Sequence, residues 1–208
     1  MKNCFKLLAT AIALVATTSS ANAQLYLSGN FSMNNRTVEA EHTIGNTTTT
    51  TKNDPVNTFT LGAEVGYYFN SNMAVGADLL YSCEKTKNAA DKKQWTADNM
   101  FYFNPYFRFD FVSTDKINLG VKARALLGFG KYKDQNETRE KISEVGVGLL
   151  PVLNYNFNNH WGAGVSFGEM SYKHYKSKTT DNENKTTVNT WDCDLTLRGL
   201  TFSVVYTF

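Results

Sequence analysis

From Leu25 to the last residue, Phe208, apolar side chains recur on every second position. Leu25, Leu27, Phe31 and Met33 begin the pattern, and Phe59, Leu61, Val65, Tyr67 and Phe69 continue it. Met73, Val75, Leu79 and Tyr81 follow, then Phe101, Phe103, Phe107, Phe109 and Phe111. A period of two belongs to strands, and runs of ~9–11 residues suit strands that cross a bilayer at a tilt. Eight runs can be marked, over residues 24–36, 57–69, 73–84, 98–111, 117–131, 143–157, 161–172 and 191–208. In the last run the parity changes between Leu197 and Leu200, and a one-residue bulge at Gly199 would restore the apolar face.

Soluble barrels alternate too, so the polar face decides. Eleven of the 14 glycines lie on even positions within the runs, among them Gly62, Gly66, Gly76, Gly128, Gly148 and Gly164. A water-facing sheet surface avoids glycine, whereas a narrow lumen needs small residues and a few charges that pair across it. The even face also carries Glu64, Asp78, Arg108, Asp110, Lys122, Arg124 and Asp194, a nearly balanced set expected to form a lumenal charge network. The odd face is almost free of charge, Glu169 being the exception. A lipid-facing Arg or Lys at mid-depth costs ~2–4 kcal/mol. The reading is an all-β, eight-stranded antiparallel up-and-down transmembrane barrel.

Residues 1–23 read as a secretory signal: Lys2 and Lys6 give a basic start, Leu7 to Ala16 an apolar core, and Ala21-Asn22-Ala23 an A-x-A site for cleavage between Ala23 and Gln24. The core is about half the ~20 residues of a membrane-spanning helix. Residues 24–208 would then be the barrel. Of 21 basic residues, losing Lys2 and Lys6 leaves 19 against 19 acidic ones. A formally neutral chain argues against nucleic acid as a partner.

Connections alternate short and long. Asn70-Ser71-Asn72, the stretch 112–116 and Asn158-Asn159-His160 are short, whereas 37–56, 85–97, 132–142 and 173–190 are expected as long outer loops. Tyr67, Phe69, Phe109, Phe111, Tyr155, Phe157, Trp161, Tyr206 and Phe208 cluster at the short-turn end as an interfacial girdle. Tyr67-Tyr68-Phe69-Asn70 followed by Gly76 repeats as Tyr155-Asn156-Phe157-Asn158 followed by Gly164, an offset of about half the barrel. Pro105 and Pro151 fall inside strands, where bulges are expected because proline donates nothing to a ladder.

These pieces resemble the outer-membrane protein β-barrel domain family abundant in Bacteroidetes. The carriers are the Tyr-x-Phe-Asn turn with its following glycine, Asn104-Pro105-Tyr106-Phe107-Arg108-Phe109, Leu150-Pro151-Val152-Leu153-Asn154-Tyr155, and the ending from Leu200 to Phe208. The resemblance implies a place in the outer membrane of a Gram-negative bacterium. It also implies that Phe202, Tyr206 and Phe208 form the signal read by the barrel-assembly machinery. Outer-membrane lipid and that machinery are the expected partners of a monomeric barrel, and the ligand of the outer loops is open.

Little in the chain suggests chemistry. His42, His160 and His174 have no ligand spacing, and neither a metal nor a cofactor motif is present. Cys83 and Cys193 lie on strands that are not neighbours, so free thiols are expected. His174 with Ser171 or Ser177 is a weak nucleophile–base candidate for a lipid A-modifying enzyme. A small porin-like channel is the other alternative. The leading expectation is a non-enzymatic barrel with a structural or surface-interaction role and a plugged lumen, since eight strands leave room for little more than side chains.

Overall fold

The computed structural model describes residues 24–37, 39–44, 47–52, 54–87, 94–135, 137–179, 185–194 and 200–208. The signal segment and Gly199 lie outside the described residues. Among the described residues there are twelve strands: β1 (Gln24–Arg36), β2 (Glu39–Ile44), β3 (Thr47–Lys52), β4 (Val56–Tyr68), β5 (Met73–Lys87), β6 (Trp95–Ser113), β7 (Ile117–Asp134), β8 (Glu137–Asn156), β9 (Trp161–Ser166), β10 (Glu169–Thr179), β11 (Lys185–Asp194) and β12 (Thr201–Thr207). They make eight staves. β1, β4, β5, β6, β7 and β8 are one stave each, β9 with β10 forms the seventh, and β11 with β12 the eighth. Pairing is antiparallel throughout and closes through β1 and β12, in register from Tyr26↔Thr207 to Phe31↔Phe202. Closure satisfies backbone groups within the wall, as a lipid-facing sheet requires.

The outer surface is the apolar face of the alternation. Leu79 is 61% exposed, Phe129 60% and Val147 60%. A continuous apolar surface of this kind is stable only against lipid. The short-turn girdle is present as ring contacts, with Trp161 and Tyr206 centred 4.9 Å apart and Tyr206 and Phe208 5.0 Å apart. The two copies of the repeat build the same turn. Asn70 Oδ1 accepts from the backbone N–H groups of Asn72 (2.9 Å) and Met73 (2.7 Å), and Asn158 Oδ1 accepts from those of His160 (2.9 Å) and Trp161 (2.8 Å).

Four expectations need correction, and the long loop expected over 173–190 shortens as well, because β10 runs to Thr179 and β11 resumes at Lys185. The region 37–56 is not simply a loop, because β2 and β3 pair there as a separate hairpin, Glu39↔Lys52 to Ile44↔Thr47. The region 132–142 is a tight strand connection: β7 runs to Asp134, Gln135 has φ 46°, and β8 resumes at Glu137. Polar strands held above the membrane carry no apolar alternation, so they read as loops. Thirdly, neither proline sits on a register-shifting bulge of its own strand. At Pro105 the β6–β7 pairing passes from Phe103↔Leu127 to Tyr106↔Arg124 without slipping, and Pro151 stays in register with Val121. Opposite Pro151 the pairing does slip by one residue, from Leu149↔Met170 to Val152↔Ser166, so a bulge accompanies this proline, with the extra residue in the neighbouring stave at the break between β9 and β10.

The fourth correction follows from that break. Gly168 has φ 66°, a conformation that favours glycine. Beyond it the faces exchange: Met170 is exposed on the outside, whereas Ser171 is buried. Glu169 is therefore not a lipid-facing charge. It points into the barrel, where Arg124 Nη2 lies 2.9 Å from its Oε1. The eighth stave also changes parity, with Trp191 and Cys193 exposed in β11 but Phe202 and Val204 exposed in β12.

Candidate functional site

The interior is built on rungs shared by neighbouring strands. Ser28, Glu64, Asp78 and Asn104 lie in register across β1, β4, β5 and β6, and all four are buried. Glu64 Oε1 accepts from the Tyr106 hydroxyl at 2.6 Å and the Tyr26 hydroxyl at 3.1 Å, and Lys122 Nζ lies 2.5 Å away. The two tyrosine hydroxyls are 2.5 Å apart. Lys122 also stands over the Tyr106 ring, 4.6 Å from its centre. Charge-assisted bonds of this kind hold a carboxylate and an ammonium away from bulk water at tolerable cost.

A second group lies towards the short turns. Arg108 Nε donates to Asp110 Oδ1 at 2.8 Å, and the Tyr68 hydroxyl donates to Asp110 Oδ2 at 2.6 Å. Arg108 is 1% exposed and Asp110 0%. With the Asn154 amide turned to suit its neighbours, its oxygen accepts from Arg108 Nη1 at 3.0 Å. A third group lies towards the long hairpins, where Glu169 meets Arg124 and, at 3.8 Å, Lys173. Asp194 stands opposite Glu169 in the β10–β11 register, and its side chain lies outside the described ones.

The inward residues that sequence reading missed are tyrosines. Tyr26, Tyr68, Tyr102 and Tyr106 all occupy even positions, which was the available signal, but the aromatics at strand ends drew attention to the girdle instead. Tyr26 pairs with Gly66 and Tyr106 with Gly76, and a Cβ on either glycine would meet the tyrosine opposite. The inward glycines therefore do more than narrow the wall: they make room for rings from the next strand, as cross-strand aromatic–glycine pairs do in curved sheets.

Among the described residues, two cavities open within the lumen. The one towards the long hairpins measures about 400 Å³, and its walls include Asp78, Asn104, Arg124, Glu144, Glu169 and Asp192. The one towards the short turns measures about 380 Å³, with Gln24, Tyr68, Asp115, Asn158 and His160 among its walls. They share Tyr26, Asn154 and Val205. Arg108 lines the first and Tyr68 the second, with Asp110 bonded to both.

The other candidates do not assemble. Ser171 and Ser177 are buried in β10, whereas His174, three residues from each, lies on the opposite face and has Nδ1 2.6 Å from Asn189 Oδ1. His160 Nδ1 lies 2.9 Å from the Thr207 carbonyl oxygen in the short-turn girdle. The side chain of His42 is outside the described ones. Cys83 and Cys193 are free. Above the apolar band, burial raises the Asp98 carboxyl above its ordinary range, and the Glu84 and Glu140 carboxylates add to the effect.

A closed antiparallel ring with an apolar outside and a paired polar inside defines an integral outer-membrane β-barrel. The sequence matches the model of the outer membrane protein beta-barrel domain over residues 5–208, and the chain belongs to that family of Gram-negative outer-membrane proteins. No curated protein matches the sequence. Among solved structures, the chain is similar to Neisserial surface protein A at 12% identity, with 90% of this chain and 99% of that one covered and a TM-score of 0.47. It is similar to OprG from Pseudomonas aeruginosa at 12% identity, with 90% and 96% covered and a TM-score of 0.47.

Proposed function

We propose that this barrel does not conduct and that its work is done at the cell surface. The observation that carries the reading is the cross-lumen group of Tyr26, Tyr106, Glu64 and Lys122, followed by Tyr68, Asp110 and Arg108, whose bonds tie together residues from the walls of both cavities. Opening a path would strip buried charges of their partners, which typically costs several kcal/mol. The surface role is supported by strand length. β6, β7 and β8 have 19, 18 and 20 residues, about twice the ~9–11 needed to cross the bilayer. The excess raises a charged wall on the order of 20 Å above the apolar band. The split of His174 from Ser171 and Ser177 supports a non-enzymatic role.

The same reading takes residues 1–23 as an export signal cut before Gln24, Phe202, Tyr206 and Phe208 as the assembly signal, and the barrel as a monomer in lipid. Liposome swelling tests it. Vesicles carrying the refolded barrel should swell in small sugars no faster than empty vesicles. Swelling at porin-like rates would favour the channel reading instead. Cells lacking the β10–β11 hairpin should lose binding to whatever surface the wild-type cells engage, and unchanged binding would remove the hairpin from that role.

A further inference from the structure

We propose that the outward-facing half of the lumen binds a small molecule carrying a primary ammonium group. The proposal deepens the closed-barrel reading, because it takes this space as a cup with a floor. Asp78 and Asn104 face each other on one rung of β5 and β6, at 3% and 1% exposure. Oδ1 of each has no hydrogen-bond partner, and both residues line the cavity. Two adjacent buried acceptors cannot satisfy one another, and each calls for a donor.

The cations of the lumen are engaged elsewhere: Lys122 with Glu64, Arg108 with Asp110, and Arg124 and Lys173 with Glu169. Asp78, Glu144 and Asp192 line the same cavity without an ion-pair partner among the described residues. Arg124 and Lys173 share the one carboxylate of Glu169, so three carboxylates stand against one surplus positive charge, and the space keeps an excess of negative charge from exposed Asp192 to buried Asp78. Water would supply donors but no charge. A primary ammonium supplies three N–H donors and a positive charge in one compact group. On β6 and the adjoining β7, Arg108 Nη2 and Arg124 Nε are donors without partners in the wall of the same cavity, available to a carboxylate if the ligand is a cationic amino acid. A volume of about 400 Å³ falls in the ~300–1,000 Å³ range of small-molecule sites.

The test is calorimetric titration of the full refolded barrel in zwitterionic micelles, with n-butylammonium and tetramethylammonium at equal ionic strength. The site predicts saturable one-to-one binding of n-butylammonium and none of tetramethylammonium, which has the charge but no N–H. Asp78→Asn should weaken binding about tenfold or more. Asn104→Leu should do so as well, and replaces the first variant if that one loses its heat-modifiable migration on a gel. Lysine and 1,5-diaminopentane differ by one carboxylate. Tighter binding of lysine identifies an amino-acid ligand held by the arginines, and tighter binding of the diamine identifies a free amine. Absence of saturable binding, equal binding of tetramethylammonium, or undiminished binding by folded variants would overturn the proposal. Conductance measured on the same preparation separates the two readings. An open channel with ammonium binding intact overturns the closed barrel and leaves the site, whereas a closed barrel without binding overturns the site alone.

Discussion

Tyr26 of β1 and Gly66 of β4 face each other across one rung, and the Tyr26 ring occupies the place a Cβ of Gly66 would take. That fit lets the Tyr26 hydroxyl reach Glu64 and Tyr106 at the centre of the lumen. Gly66→Val should push the ring away and destabilise the barrel by about 1–3 kcal/mol, the range for overpacked cores. Urea unfolding in micelles checks it. An unchanged midpoint would mean that the ring has another place to go.

Glu169 gives a test whose sign depends on where it points. Were it on the lipid face, Glu169→Leu would stabilise the barrel by removing a charge from lipid. In the lumen it is the partner of Arg124, so the same change leaves a guanidinium short of its counter-charge and should cost about 2–3 kcal/mol. Unfolding midpoints of wild type and variant decide between them.

The repeated turn predicts paired effects. Asn70→Ala and Asn158→Ala each remove two bonds to backbone N–H groups, at a cost of about 1–2 kcal/mol. Similar losses in the two variants, read from urea midpoints, would match their equivalent roles.

Asp98 predicts a pH effect. Burial, then Glu84 and Glu140, raise its carboxyl in the folded barrel. The folded state therefore favours the protonated form. The stability this contributes is complete below the unfolded-state value of ~3.9 and is lost as pH rises through the raised folded value. Asp98→Asn should flatten that decline, which begins as pH rises above about 4, in unfolding curves. Parallel curves for the two proteins would contradict it.

The barrel was legible because lipid enforces a strict rule: Leu79, Phe129 and Val147 had to face out, and their spacing said so. Asn70 and Asn158 marked equivalent turns because one chemistry solves both. Other features left weaker traces. The β2–β3 hairpin and the upper ends of β7 and β8 stand in water, where alternation is not enforced. The reversal at Gly168 is a backbone event that hydropathy does not record, and it moved Glu169 from one face to the other. In the lumen the charged residues Glu64, Asp78, Arg108, Asp110 and Lys122 were visible by parity. The tyrosines that bind several of them together have the same parity, but aromatics have two uses in a barrel wall and only the interfacial one was considered.

Closure of the lumen by the tyrosine-bound charges is tested most directly by planar-bilayer recording of the refolded barrel beside the Tyr26→Ala/Tyr106→Ala double variant. The wild type should show no steady open conductance, and the folded variant should show discrete openings. A steady conductance from the wild type would contradict it.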